Sequence, residues 1–365
     1  MGHRHSAWER SRLPMPLAYV ALTALAMVAA GCGGTLDAGA NKEAFLPLDA
    51  GVDKEASLPP DAGADADKQG ILPIDERNPI VIFNDNYQEN WQGEYAIMLA
   101  NSGGPALVGI IVNTSPQWAN IDANLFGWNT MVKAARDSGL RNIPDPIRSV
   151  GPELVRPSDG TIDATVPNRS AGASFIIDTS QRIIQQYNRP LVLVTGGRLT
   201  DVADAYLLDH TLPERVVVLS SLGTVTSSGA EMGMPNGEMD RWADIIVARK
   251  FHYIQVSAYY DQLTDVPQFL LSKLPANPFT DWIASKQPGI WNDQYAADQI
   301  GVAATGIPGF VLQVSRVTQK GLSSANNPTL IFDDAGPNWL VTTSSGDVAK
   351  SRFWQALLNP ATFGL

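Results

Sequence analysis

A chain of 365 residues has room for one large α/β domain with appendages, or for two smaller domains. A net charge of -11, with no basic patch anywhere in the chain, argues against a nucleic-acid partner. Nine tryptophans suit a folded globule and exclude a wholly disordered chain.

Residues 1–32 read as a processing segment. Arg4, Arg10 and Arg12 form a positive start, and 17–30 is an apolar run too short and too Ala-rich to span a membrane. The run ends Val28-Ala29-Ala30-Gly31-Cys32, and Cys32 is the only cysteine, so no internal disulfide can form. This ending resembles a bacterial lipoprotein signal, although Ala29 is a less usual residue there than Leu. The resemblance implies that Cys32 becomes a lipidated N-terminus. The protein would then sit at the cell envelope, anchored to a bacterial membrane by lipid alone and facing the periplasm or the cell surface. The alternative is an ordinary secretory peptide with an incidental cysteine.

Residues 33–77 are low in complexity. Leu36-Asp-Ala-Gly, Leu48-Asp-Ala-Gly and Pro60-Asp-Ala-Gly recur at a period of 12 residues, too short for the common solenoid units. With few large apolar side chains, this stretch cannot bury enough surface to offset its ordering entropy. It reads as a flexible acidic tether.

A single domain is expected over 78–365. Apolar runs predict strands at 80–83, 107–112, 191–194, 216–219 and 253–256. Helices are predicted at 121–138, 173–187, 201–208 and 241–250, with Pro-rich irregular chain at 142–167. Continuous apolar strands separated by helices imply an α/β fold: a mostly parallel sheet covered by helices on both faces. Beyond Gly309 come β-rich pieces at 310–317, 330–332 and 339–342, forming a C-terminal extension, and a last helix at 350–358.

The loop after the first strand is crowded with Asn84, Asp85, Asn86, Glu89, Asn90 and Glu94. Oxygen-bearing side chains at the carboxyl end of a parallel strand lie where open α/β sheets bind ligands, and hard cations such as Ca²⁺ prefer such oxygens. The plainer alternative is that Asp85 and the asparagines only cap a helix and close a turn.

Four pieces in order resemble the inosine/uridine-preferring nucleoside hydrolase family. They are Phe83-Asn-Asp-Asn with Gly93-Glu-Tyr-Ala96, Leu191-Val-Leu-Val-Thr-Gly-Gly-Arg-Leu-Thr-Asp-Val-Ala-Asp-Ala205, Gly237-Glu-Met-Asp-Arg-Trp-Ala-Asp244 and Trp291-Asn-Asp-Gln-Tyr-Ala-Ala297. The resemblance implies the nucleoside hydrolase fold and hydrolysis of a ribosyl C–N bond. Carboxylates would stabilise an oxocarbenium-like sugar, and a bound Ca²⁺ would hold the attacking water. It implies that Asp85 is both metal ligand and general base, and that Glu94 and Asp293 are the other metal carboxylates, Asp293 also touching ribose. A backbone carbonyl ligand would come from Gly196, or from Thr195 with a slip of one residue. Glu238 and Asp240 match substrate-binding positions.

Some residues depart from the family pattern. Phe83 stands in place of its first aspartate, and Gly93 in place of a ribose-gripping one. Three extra residues lie between Asp85 and Glu94, so Glu89 or Asn90 are alternative donors. Asn292 stands where many members have a histidine, and an amide cannot donate a proton in acid catalysis. Trp242, Tyr259, Tyr260 and Trp291 are candidates for stacking on a base, though such aromatics more often pack the core or rim. Asn113 falls about three residues too early for the family's asparagine and is not matched to it. Asp201 and Asp204 read as charges at a helix N-terminus, and Asp244 as an analogue of a structural aspartate.

The expected function is calcium-assisted hydrolysis of an N-ribosyl bond in a nucleoside or related small glycoside. The alternative is a surface lipoprotein that binds such a ligand without turnover. If the carboxylates of Asp85, Glu94 (or Glu89) and Asp293 converge on one point, metal-assisted hydrolysis stands; should Glu94 point into helix packing instead, the binding reading wins. Homo-oligomerisation is compatible with the sequence.

Overall fold

The structure is a computed structural model and describes residues 71–85, 91–116, 118–221, 235–256, 268–285, 299–322, 328–332 and 334–365. Nine strands, among the described residues, form one sheet in the order β3-β2-β1-β4-β5-β6-β9-β7-β8. They are β1 (Ile80–Asn84), β2 (Leu107–Val112), β3 (Pro146–Arg148), β4 (Leu191–Gly196), β5 (Val216–Ser221), β6 (His252–Val256), β7 (Val311–Leu322), β8 (Pro328–Phe332) and β9 (Asn338–Ser344). All pairings from β3 across to β6, and that of β6 with β9, are parallel. Only β7 runs antiparallel to its neighbours, β8 and β9. The β-rich C-terminal part thus continues the same sheet, with β9 laid parallel on β6.

Eight helices longer than one turn accompany the described strands: α1 (Trp91–Ala100), α2 (Ile121–Asp137), α3 (Ala171–Tyr187), α4 (Thr200–Leu208), α5 (Arg241–Lys250), α6 (Pro278–Ser285), α7 (Gln299–Gly306) and α8 (Gly346–Leu358). Strand alternation divides the core into two layers. Ile80, Ile82, Val192 and Val194 pack with α1, α2, α7 and α8, whereas Val81, Phe83, Leu191 and Leu193 pack with α3, α4 and α5. Both faces of β1 and β4 are buried, which is why their sequence is apolar without alternation. The core also takes in Leu72 and Ile74, two apolar side chains ahead of residue 78.

Local chemistry sets the helix starts. Asn120 accepts from the N–H groups of Asp122 and Ala123 to open α2, Ser170 from Ala173 to open α3, and Asp240 from Ala243 to open α5. Two helices that the sequence did not announce, α6 and α7, are short. Every residue of α7 is buried, so it carries no amphipathic stripe. The Pro-rich stretch contains β3, a three-residue edge strand that starts on proline, as edge strands permit.

Candidate functional site

β1 ends at Asn84 and β4 at Gly196, and these two residues are register partners. Sheet order reverses between them. From β1 the chain builds outward through β2 and β3, then returns to place β4 on the other side. Open parallel sheets bind ligands in the crevice left by such a reversal. Asp85, Asn113 and Gly197 are the first residues beyond β1, β2 and β4. A Cβ on Gly197 would lie 3.4 Å from Asp85 Oδ1 and 3.3 Å from Asn113 Oδ1. Three neighbouring strand ends therefore deliver a carboxylate, an amide and a bare backbone to one point.

Asp85 is 4% exposed. Its Oδ2 is buried without a partner. Burial pushes the carboxyl up to about 6, against the opposing pull of the nearby Ser115 hydroxyl and the Arg198 charge. Asn113 Oδ1 is likewise buried and unpartnered. Its Nδ2 faces Asp201 Oδ2 at 3.5 Å, the long end of the hydrogen-bonding range. Asp201 Oδ1 in turn takes the Ser149 hydroxyl at 2.6 Å, and Ser149 Oγ takes the Gly172 N–H at 3.0 Å. Burial pushes the Asp201 carboxyl up, with the bonds from Ser149, Ser170 and Asn113 pulling it down. Arg198, in the turn before α4, donates to Thr114 Oγ1 at 3.3 Å and to the Gly151 carbonyl, and so ties together the chain beyond β2, β3 and β4.

The residues expected from sequence fall in different places. Thr195 and Gly196 close β4 beside Phe83 and Asn84, adjoining Asp85. Glu94 lies in the first turn of α1, fully buried, and its Oε1 accepts the indole N–H of Trp282 at 2.7 Å. Asp240 is buried with both oxygens engaged by the protein: Oδ1 by the Ala243 N–H at 3.0 Å, Oδ2 by the Thr200 hydroxyl at 2.6 Å and the Leu154 N–H at 3.0 Å. It caps α5 and braces α4, and all three donors are internal. Glu238 ends the one-turn helix Pro235–Glu238, and its side chain lies outside the described structure, as do Asp293, Asn292, Trp291, Tyr259, Tyr260, Glu89 and Asn90.

Four residues singled out in the sequence, Gly93, Trp242, Asp201 and Asp204, take structural places. Gly93 is a packing glycine: a Cβ there would stand 2.5 Å from Trp128 Cζ3 and 2.6 Å from Met131 Cε, inside the contact of α1 with α2. Trp242 packs as a core residue, donating to Thr165 Oγ1 at 2.9 Å under the guanidinium of Arg156. Asp201 proves to be more than a helix-end charge, because it joins Ser149 to Asn113. Asp204 accepts the N–H groups of Arg169 and Ser170 at 3.1 and 2.7 Å, fastening the start of α3 to α4.

The two unpartnered oxygens, Asp85 Oδ2 and Asn113 Oδ1, are hard donors and fit a cation such as Ca²⁺. Among the described residues no group of three acidic, histidine or cysteine side chains converges. No described helix is long and apolar enough to cross a membrane.

No protein-family model matches the sequence, and no curated protein does. Solved structures match the fold. An inosine-guanosine nucleoside hydrolase aligns with a TM-score of 0.55 at 15% identity, over 77% of this chain and 99% of that one. An inosine-uridine preferring nucleoside hydrolase from Bacillus anthracis gives 0.51 at 12% identity, over 78% and 99%. The type III effector XopQ, complexed with adenosine diphosphate ribose, gives 0.50 at 12% identity, over 79% and 94%. The chain therefore carries the nucleoside hydrolase fold.

Proposed function

We propose that the chain is a calcium-assisted hydrolase of ribosyl C–N bonds in nucleosides or related small glycosides. One observation carries the reading: a buried carboxylate with an unpartnered oxygen, Asp85 Oδ2, at the strand-order reversal of a nucleoside hydrolase fold. In the calcium-free chain burial holds this carboxyl near 6, and a carboxylate beside the attacking water is the group that can take its proton. In this reading Asp85 is the general base. As water oxygen bonds to the anomeric carbon, the C–N pair leaves with the base nitrogen, and Asp85 Oδ2 receives the water proton. Asp85 and Asn113 would hold the cation together with a carbonyl at Thr195 or Gly196 and the carboxylates of Asp293 and Glu94. When bound, calcium supplies polarisation of the water and a grip on ribose hydroxyls. Gly197, with no side chain, leaves room for the sugar between Asp85 and Asn113.

A second reading, capture of a nucleoside or sugar without turnover, is favoured by one contact. Glu94 is engaged by Trp282, which turns at least one oxygen toward helix packing. The two readings separate in a single experiment. The purified chain is titrated with calcium by calorimetry, then assayed on inosine and uridine beside Asp85→Ala. Turnover that Asp85→Ala abolishes supports the hydrolase. Saturable nucleoside binding without product supports the binder.

We further propose attachment to the cell envelope through lipid on Cys32, with residues 33–77 as spacer. Cys32→Ser should move the protein from the membrane to the soluble fraction, and mass spectrometry of the N-terminal peptide would detect the acyl chains.

A further inference from the structure

We propose that Asn124 is the positioning residue of this crevice, a single buried amide that sets the backbone of Asp85 and of Asn113 relative to each other. The inference rests on the reading of the crevice as a calcium and ribosyl site. Asn124 stands early in α2 and is 1% exposed. Its Nδ2 donates to the carbonyl oxygens of Asp85 at 2.6 Å, Trp118 at 3.0 Å and Asn113 at 3.1 Å. An amide nitrogen has two hydrogens, so one of them is shared between two carbonyls. The flipped amide would set Oδ1 against three carbonyl oxygens, and these partners therefore fix its orientation.

The main-chain bond from the Asn113 N–H to the Asn84 carbonyl, at 3.0 Å, joins β1 and β2 at their last step. Asn124 extends that join beyond the strands, to the two residues whose side chains face Gly197. The arrangement leaves Asn124 Oδ1 buried without a partner. A buried acceptor in that state is costly, and such groups in native proteins call for an explanation. The explanation here is geometric. A ligand held by Asp85 Oδ2 and Asn113 Oδ1 needs both backbones fixed, and supporting contacts of this kind govern affinity at metal sites.

The test compares Asn124→Ala with Asn338→Ala. Asn338 is a buried amide at the opposite, amino end of β9, donating to the Ala248 carbonyl at 2.8 Å and accepting the Tyr253 N–H at 3.3 Å. Both variants should melt at lower temperature. Hydrogen exchange, read well below each melt and without metal, should rise in Asn124→Ala by about tenfold in peptides covering 80–85 and 110–116, and stay at the wild-type rate there in Asn338→Ala. Calcium affinity should fall by roughly 10- to 100-fold in Asn124→Ala alone. If Asn124→Ala does not fold, Asn124→Ser, whose hydroxyl cannot span three carbonyls, takes its place. Unchanged exchange in those two peptides, or equal loosening in both variants, overturns the inference. A wild-type chain that binds no calcium, with the two peptides still loosened in the Asn124 variant, ends the calcium reading and leaves the clamp standing.

Discussion

Trp282 donates its indole N–H to Glu94 Oε1 at 2.7 Å, linking α6 to the first turn of α1. The two residues are 188 positions apart in sequence, and the contact brings α6 to the end of α1 that follows Asp85. Trp282→Phe removes the donor from a buried carboxylate and should destabilise the fold by about 1–3 kcal/mol, measured by urea unfolding. Glu94→Gln keeps an acceptor for the indole and should unfold nearly as the wild type. Its calcium affinity is the telling quantity. A fall of an order of magnitude or more assigns Glu94 to the metal, whereas wild-type affinity leaves it as a packing residue.

Asp85→Asn should raise stability while removing activity. The folded carboxyl sits near 6, above its ordinary 3.8, so the folded state holds this proton more tightly than the unfolded chain. The stability it contributes is complete below about pH 4 and is lost as pH rises through 6. A difference of that size corresponds to roughly 3 kcal/mol. Calcium-free urea melts of the wild type should therefore weaken between about pH 4 and pH 7, and those of Asp85→Asn should not. At about pH 8 the variant should be the more stable of the two, with no turnover. Parallel pH profiles for the two proteins would refute the assignment.

Gly197→Ala and Gly93→Asp should behave oppositely. At Gly197 the added Cβ meets Asn113 Oδ1 and Asp85 at 3.3 to 3.4 Å, a tight but tolerable approach that takes up space in the crevice. Ligand binding should drop by about tenfold or more, with the melting temperature little changed. At Gly93 the Cβ would collide with Trp128 and Met131, and overpacking alone costs about 1–3 kcal/mol before the buried charge is counted. Placing there the aspartate that the sequence resemblance calls for should lower the melting temperature and leave calcium affinity no better. Thermal melts with calcium titrations check both.

Asp240→Ala removes a helix cap, the carboxylate that accepts the Thr200 hydroxyl and the anchor of Leu154. It should cost more than the ~1 kcal/mol of a typical cap, on the order of 2–4 kcal/mol in guanidinium unfolding. Asp240→Asn retains the cap oxygen and should fall in between. Nucleoside affinity in the folded Asp240→Asn variant should stay within about threefold of wild type, because all three donors to Asp240 are internal. A much larger loss would place this carboxylate against the ligand.

Much of the fold was legible in the linear chain. A strand buried on both faces must be apolar at every position, so 80–83, 107–112, 191–194 and 216–219 stand out against polar surroundings. The amphipathic α2 and α3 declare themselves equally, by a stripe of period 3.6. Helix α7 does not, because it is apolar and small all round, and that pattern fits a strand or a buried helix alike. The placement of Asp85 also followed from sequence, since a carboxylate one residue beyond a parallel strand can only stand at the sheet's carboxyl edge.

Its neighbours were decided by tertiary structure. Asn113 is out of step with the family's spacing, yet β2 lies beside β1 and the sheet sets their ends level, so it arrives at the same point. Gly93 reads in sequence as a lost ligand, and in the fold as the only residue that lets the Trp128 ring approach α1. Asp240 reads as a substrate-binding residue, and in the fold it takes donors from two helices and the irregular chain at Leu154. Sequence spacing determines which residues leave a strand at its end. Which of them meet, and which turn inward to hold the structure, depends on the order of the strands and the volume of the side chains between them, and neither is a local property of the chain.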